Sequence, residues 1–178
     1  MALIVSGLLT YFGMPSQARS VGVNNVTLVK SAITFPTSTE TPDPNIIFDE
    51  VNALRNTNGL QALIADPVLL NIAGQRADDM VAQSYYAHKN PDGLIFYDIM
   101  KLQGTAPDYA CENLALESSE FENVFFESWN SSDKGHKECM LSSRVTRAGY
   151  AVRKLYDVPE GGELKPYYVV VAIHASEH

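Results

Sequence analysis

The chain has 178 residues, 46% of them hydrophobic and 19% charged, with 9 Tyr, 7 Phe and 1 Trp. That suits one domain with a real core and speaks against a disordered, collagen-like or multi-span membrane protein. Thirteen Lys and Arg against 21 Asp and Glu give a formal charge of −8 with no basic run, which argues against a nucleic-acid partner.

The charge is unevenly spread. Residues 1–39 hold Arg19 and Lys30 and no acid, a charge of +2, whereas the remaining 139 residues hold 11 bases and 21 acids, a charge of −10. The chain opens with twelve mostly apolar residues, too short for the roughly 20 that a spanning helix needs. Ser16 and Ala18 put small residues at −3 and −1 before Arg19, so residues 1–18 read as a signal peptide, or as an anchor if retained, although a basic n-region is missing. Residues 19–44 read as a tether, since 31–44 contain nine Ser, Thr or Pro and offer little to bury. The domain proper is expected over 45–178, and its location is expected to be secreted or cell-surface.

Within it, Ile47, Val51 and Leu54 predict a helix over 45–56, broken by Gly59. Asp66-Pro67 is a helix start, because the carboxylate caps free amides and Pro at the first helical position loses no hydrogen bond. Leu69, Ile72, Ala73, Arg76 and Met80 then line one face of a long helix to about Ser84. Asn90-Pro91-Asp92-Gly93 predicts a turn, followed by a helix over 94–102 that stops at Gly104. Ser119-Glu120-Phe121-Glu122 has the spacing of a capping box before a helix through Phe125 and Trp129. A short helix follows over 136–141. Residues 148–155 and 167–174, rich in Tyr and Val around Pro159-Glu160-Gly161-Gly162, predict a β-hairpin. Helices first and strands last give an α+β class.

Two histidines and one acid stand out. His88 follows the long helix, His136 opens the short one, and Glu112 lies between them in the mostly apolar run Cys111-Glu112-Asn113-Leu114-Ala115. Two imidazoles and a carboxylate suit a divalent metal such as zinc with one open position, or metal-free acid–base work, or a plain hydrogen-bonded cluster. His174 reads as a strand residue and His178 as a solvated terminus. Cys111 and Cys139, 28 positions apart, are expected to form a disulfide if the domain is exported, worth about 3 kcal/mol in the loop-entropy model. Two buried thiols, or a Cys–Cys–His zinc site, are the alternatives. Glu117, Glu120 and Glu122 read as a solvated acidic face.

In order along about 130 residues, five segments resemble the CAP superfamily (SCP domain) in its bacterial-type secreted form. Asn58-Gly59-Leu60-Gln61-Ala62-Leu63 is similar to the family's Gly-Leu-x-x-Leu link, and Ala73-Gly74-Gln75-Arg76-Ala77-Asp78-Asp79-Met80 to its second helix. Ala87 through Gly93 resembles the segment with the first cavity histidine, Glu112-Asn113-Leu114-Ala115 the Gly-Glu-Asn-hydrophobic motif, and Trp129 through His136 the Trp-x-x-Ser-x-x-His motif. The resemblance implies a three-layer α-β-α sandwich around a mostly antiparallel sheet. It also implies a cavity lined by His88, Glu112, His136, Asn113 and Ser132, with zinc held by His88 and His136. The family's Gly is Cys111 here, Ser132 replaces a second acid found in many members, and one extra residue before His136 predicts a bulge near Asp133 and Lys134. The expected function is a non-enzymatic module binding an extracellular protein, a lipid or a small apolar ligand, touching membrane only through its N-terminal segment if that is retained. The alternatives are a zinc-dependent, peptidase-like hydrolase with Glu112 as catalytic base, and a scaffold with an idle cavity.

Overall fold

The computed structural model describes residues 41–118, 120–157 and 165–177. The expected signal or anchor (1–18), nearly all of the tether, Ser119, the hairpin turn and His178 lie outside them. Helix α1 (Pro44–Thr57) begins with the same device as Asp66-Pro67: Asp43 accepts the Asn45 N–H at 2.8 Å, with Pro44 following it. After the two-residue strand β1 (Ile64–Ala65) comes α2 (Pro67–Ala82), where Asp66 accepts the N–H groups of Val68 and Leu69. Helix α3 (Phe96–Leu102), strand β2 (Ala110–Glu117), and helices α4 (Glu122–Asn130) and α5 (His136–Met140) lead into the hairpin β3 (Arg147–Asp157) and β4 (Lys165–Ala175).

Among the described residues the sheet order is β1-β3-β4-β2, antiparallel except where β1 joins β3. Central β4 is buried on both faces and so reads as a continuous apolar run. Its Tyr168, Val170 and Ala172 face α1, α4 and α5 with Ile47, Phe125, Trp129 and Met140. Its Val169, Val171 and Ile173 face α2 and α3 with Leu69, Ile72, Ala77 and Met100. Two helical layers thus enclose the sheet, the α+β sandwich expected. Gly149 lets α2 lie flat on β3, because a Cβ there would fall 2.1 Å from the Leu69 backbone.

Ser119 of the expected capping box lies outside the described residues; Phe121 is the N-cap of α4, and Glu122 Oε1 accepts the Asp43 N–H at 2.9 Å, tying α4 to the start of α1. The run around Cys111 is a strand, β2, which the helical and hairpin patterns did not reveal.

Candidate functional site

Strand β2 ends the sheet order, so its outer edge meets no further strand among the described residues, and both helical layers reach it. Its side chains alternate between the layers. Glu112, like Leu114, points toward α2, whereas Cys111 and Asn113 point toward α5. Trp129 Nε1 donates to the Leu114 carbonyl at 2.9 Å, which fixes α4 against the same strand.

On the α2 side the central group is Arg76. Its side chain and that of Glu112 are both 0% exposed. Nε donates to Glu112 Oε1 at 3.0 Å, Nη1 to the Tyr85 hydroxyl at 2.8 Å, and Nη2 to the carbonyls of Ala87 and His88 at 2.9 and 3.0 Å. Burial opposes the guanidinium charge, but the bonds and charge of Glu112 and the Tyr85 contact outweigh it, and the Arg76 pKa lies above its ordinary value. Tyr85 in turn donates to Asp79 Oδ2 at 2.6 Å, and burial with that carboxylate pushes its pKa up to about 12. Burial also works against Asp79, yet bonds from Tyr85, Gln83 and Asn90 together with Arg76 hold its carboxyl below the usual range.

The second oxygen of Glu112, Oε2, lies 2.8 Å from His88 Nδ1, while the His88 side chain is 56% exposed. Its neighbour Tyr86 keeps part of its ring in solvent, and burial plus the charges of Glu117 and Glu112 push its hydroxyl pKa up. His136 is half-buried, and its pKa is lowered by burial, by the nearby His88 and by Lys134, against a smaller opposing pull from Glu138. Asn113 Nδ2 donates to the His136 carbonyl at 3.0 Å. Ser132 Oγ accepts the Lys134 N–H at 3.1 Å, and left-handed Gly135 (φ 94°) then opens α5, which absorbs the longer loop. Glu117 is not a solvated acid: it is half-buried, and burial raises its pKa against a bond from Ser128.

A second buried network lies on the α5 side. Cys111 and Cys139 form a disulfide with an S–S distance of 2.06 Å. Cys139 Sγ is 3.3 Å from His174 Nδ1, and His174 Nε2 is 2.7 Å from the Tyr150 hydroxyl. His174 is fully buried, and burial, with Arg55, lowers its pKa to about 3, so the ring is neutral. Arg55 itself is buried and donates to the carbonyls of Gln61, Met140, Ser142 and Val145, clamping the turn after α5.

The expectation of a His88–Glu112–His136 metal site is overturned. Among the described residues, the ligand-type side chains that gather within 4.8 Å of one another are Cys111, Cys139 and His174, and that group has its two sulfurs joined to each other. Neither cysteine offers a thiolate, so the Cys–Cys–His zinc alternative falls as well. The physical reason at Glu112 is that both oxygens are committed. The compensating positive charge is the Arg76 guanidinium, in the place where a cation would be needed. Zinc as cofactor and the zinc-dependent hydrolase are withdrawn with the site. Arg76, Tyr85 and Asp79 are the site residues that motif reading missed. Arg76 sat on the apolar stripe of the long helix, and a guanidinium there signals a buried acidic partner.

An edge strand with a buried carboxylate, flanked by one histidine from each helical layer, defines a class of α-β-α sandwich domains. The family model for the cysteine-rich secretory protein family (CAP) matches residues 48–173, and the chain belongs to that family. It is 30% identical over 103 residues to the uncharacterized protein YkwD of Bacillus subtilis (strain 168), covering 58% of this chain and 39% of that one. An SCP-domain extracellular protein from Bacillus anthracis superposes with a TM-score of 0.60 at 23% identity, covering 75% of this chain and 40% of that one. An outer surface protein from Borrelia burgdorferi gives a TM-score of 0.60 at 17% identity, covering 75% and 92%. The chain thus spans about two-fifths of the length of the two Bacillus proteins. Family membership and the oxidised cysteine pair agree with the secreted or cell-surface location expected from the sequence.

Proposed function

We propose that this domain is an exported, metal-free binding module that engages an extracellular protein through the surface around His88 at the β2 edge. The observation that carries the reading is the double engagement of Glu112. With Oε1 on Arg76 and Oε2 on His88 Nδ1, the carboxylate serves as a rigid mount that leaves His88 Nε2 on a largely exposed ring for a partner's polar group. Tyr86 adds exposed aromatic surface beside it, and neutral His136 adds a second hydrogen-bonding group. Both Glu112 oxygens are engaged within the protein, so neither faces a water that it could deprotonate, and the geometry disfavours hydrolysis with Glu112 as base. A cavity of about 310 Å³ lies between α2 and β3, lined by residues such as Leu70, Gly74 and Arg153, and it includes none of His88, Glu112 or His136.

The test is titration of 15N-labelled protein with a mixed-sequence peptide library, followed by NMR. Shifts clustering at Tyr86, His88, Asn113 and His136, and lost in His88→Ala, are expected. Scattered shifts, shifts unchanged in His88→Ala, or cleavage of the peptides would overturn the reading.

A further inference from the structure

We infer that the Cys111–Cys139 bridge is a thiol-operated latch on the surface carrying His88 and His136, opened by a dithiol reductant that attacks Cys111 and expels Cys139. The inference rests on the binding-module reading and supplies a means of regulating that same surface. The bridge joins its two halves: Cys111 directly precedes Glu112, and Cys139 lies three positions beyond His136. Helix α5 has five residues, too few to persist by backbone bonding alone, so tertiary ties hold it in place. With the bridge cut, the end of α5 stays anchored by buried Met140 and the Arg55 bond to its carbonyl, while the start of α5 at His136 keeps the Asn113 bond to the His136 carbonyl.

The two sulfurs are not equivalent. Cys139 is 4% exposed, whereas Cys111 is half-buried and so nearer to an incoming thiol. A disulfide sulfur carries no hydrogen, so the contact between His174 and Cys139 places the proton on Nδ1. Nε2 of the neutral ring is then bare and accepts from the Tyr150 hydroxyl. This buried, fixed N–H points at the sulfur where charge appears during exchange. In the first step the reductant's thiolate forms a bond to Cys111 Sγ while the protein S–S bond breaks. The electron pair stays on Cys139 Sγ, stabilised by the His174 N–H. The reductant's second thiol then attacks its own sulfur in the mixed disulfide. The reductant leaves oxidised, Cys111 is released, and the two protons of the dithiol end on the two cysteines. A donor on the leaving sulfur lowers its basicity and speeds its departure.

The full chain, oxidised and folded, should be treated with glutathione, whose single thiol stops at the mixed disulfide, then quenched in acid, alkylated and mapped by mass spectrometry. Glutathione on Cys111 with a free thiol at Cys139 is expected in at least tenfold excess over the reverse. Adducts on Cys139, an even split, or adducts formed only in urea would overturn the latch. Dithiothreitol-reduced chain should keep its far-ultraviolet spectrum and Trp129 emission while the His136 ring resonance moves. Global unfolding, or unmoved His136 and His88 resonances, would show a plain staple. Neither readout uses peptide binding, so failure here leaves the binding-module reading intact, and failure of the peptide titration leaves this exchange chemistry measurable.

Discussion

Arg76→Met removes a buried cation while leaving Glu112 in place. Both side chains are wholly buried, so the orphaned carboxylate keeps one contact, to the half-exposed His88 ring. Removing one partner of a buried ion pair costs about 3–5 kcal/mol, because the other charge stays desolvated without compensation. The carbonyls of Ala87 and His88 also lose a donor, but both residues are exposed and water replaces it, so they add little. Against a total stability of about 5–15 kcal/mol the variant folds poorly, with a melting temperature lower by roughly 10 °C or more. Urea unfolding followed by the emission of Trp129, the sole and fully buried tryptophan, measures the loss. Arg76→Met combined with Glu112→Leu removes both charges, and the pair should lie within about 2 kcal/mol of wild type. A single variant costing under about 1 kcal/mol, or a double variant costing as much as both singles summed, would refute the claim that Arg76 and Glu112 neutralise each other.

The same geometry sets three further outcomes. Glu50, on α1 near the acids of α4, has its pKa raised to about 7 by burial and by Glu127 and Glu122. The folded state therefore holds the proton more tightly than the unfolded chain; that stabilisation is complete below pH 4.5 and lost as pH rises through 7. Glu50→Gln should flatten this part of the stability profile and gain about 1–2 kcal/mol over wild type at pH 8, after screening of a half-exposed group is allowed for; equal pH slopes would dismiss the effect. In a histidine NMR titration His174 should stay neutral from pH 4 to 9, and His136 should titrate below the usual histidine value; a His174 midpoint near 6 would contradict its sealed environment. Zinc at tenfold excess should leave the melting temperature unchanged, and a rise with zinc concentration that His88→Ala with His136→Ala abolishes would restore the metal site.

How much of this was legible varied with the range of the interaction. Periodicity located the helices, and the Asp66-Pro67 start located α2, because those signals act within a few residues, while the like start of α1 at Asp43-Pro44 fell within the tether reading. The hairpin was legible for the same reason. Strand β2 was not, since an edge strand carrying Cys111, Glu112 and Asn113 lacks the apolar alternation that marks strands, and its polar side chains are satisfied from α2 and α5. The role of Glu122 was hidden similarly, since it accepts the amide of Asp43, 79 positions away. Both halves of the central ion pair were visible separately, as an arginine on an apolar stripe and an acid in an apolar run. Their separation of 36 residues hid the pairing.

That pairing decides between the chemistries a His–Glu–His pattern suggests. A buried carboxylate requires positive charge nearby, and a metal ion or a guanidinium meets that electrostatic need equally well. The two cations differ in their chemical consequences. A metal adds open coordination and lowers the pKa of bound water, whereas a guanidinium only fixes geometry. Here the guanidinium also holds the carbonyls of Ala87 and His88, so the cation that neutralises Glu112 builds the loop presenting His88 as well. A site assembled this way is complete without any dissociable ion and displays a fixed imidazole to the outside, which is a property suited to recognition and not to the activation of water.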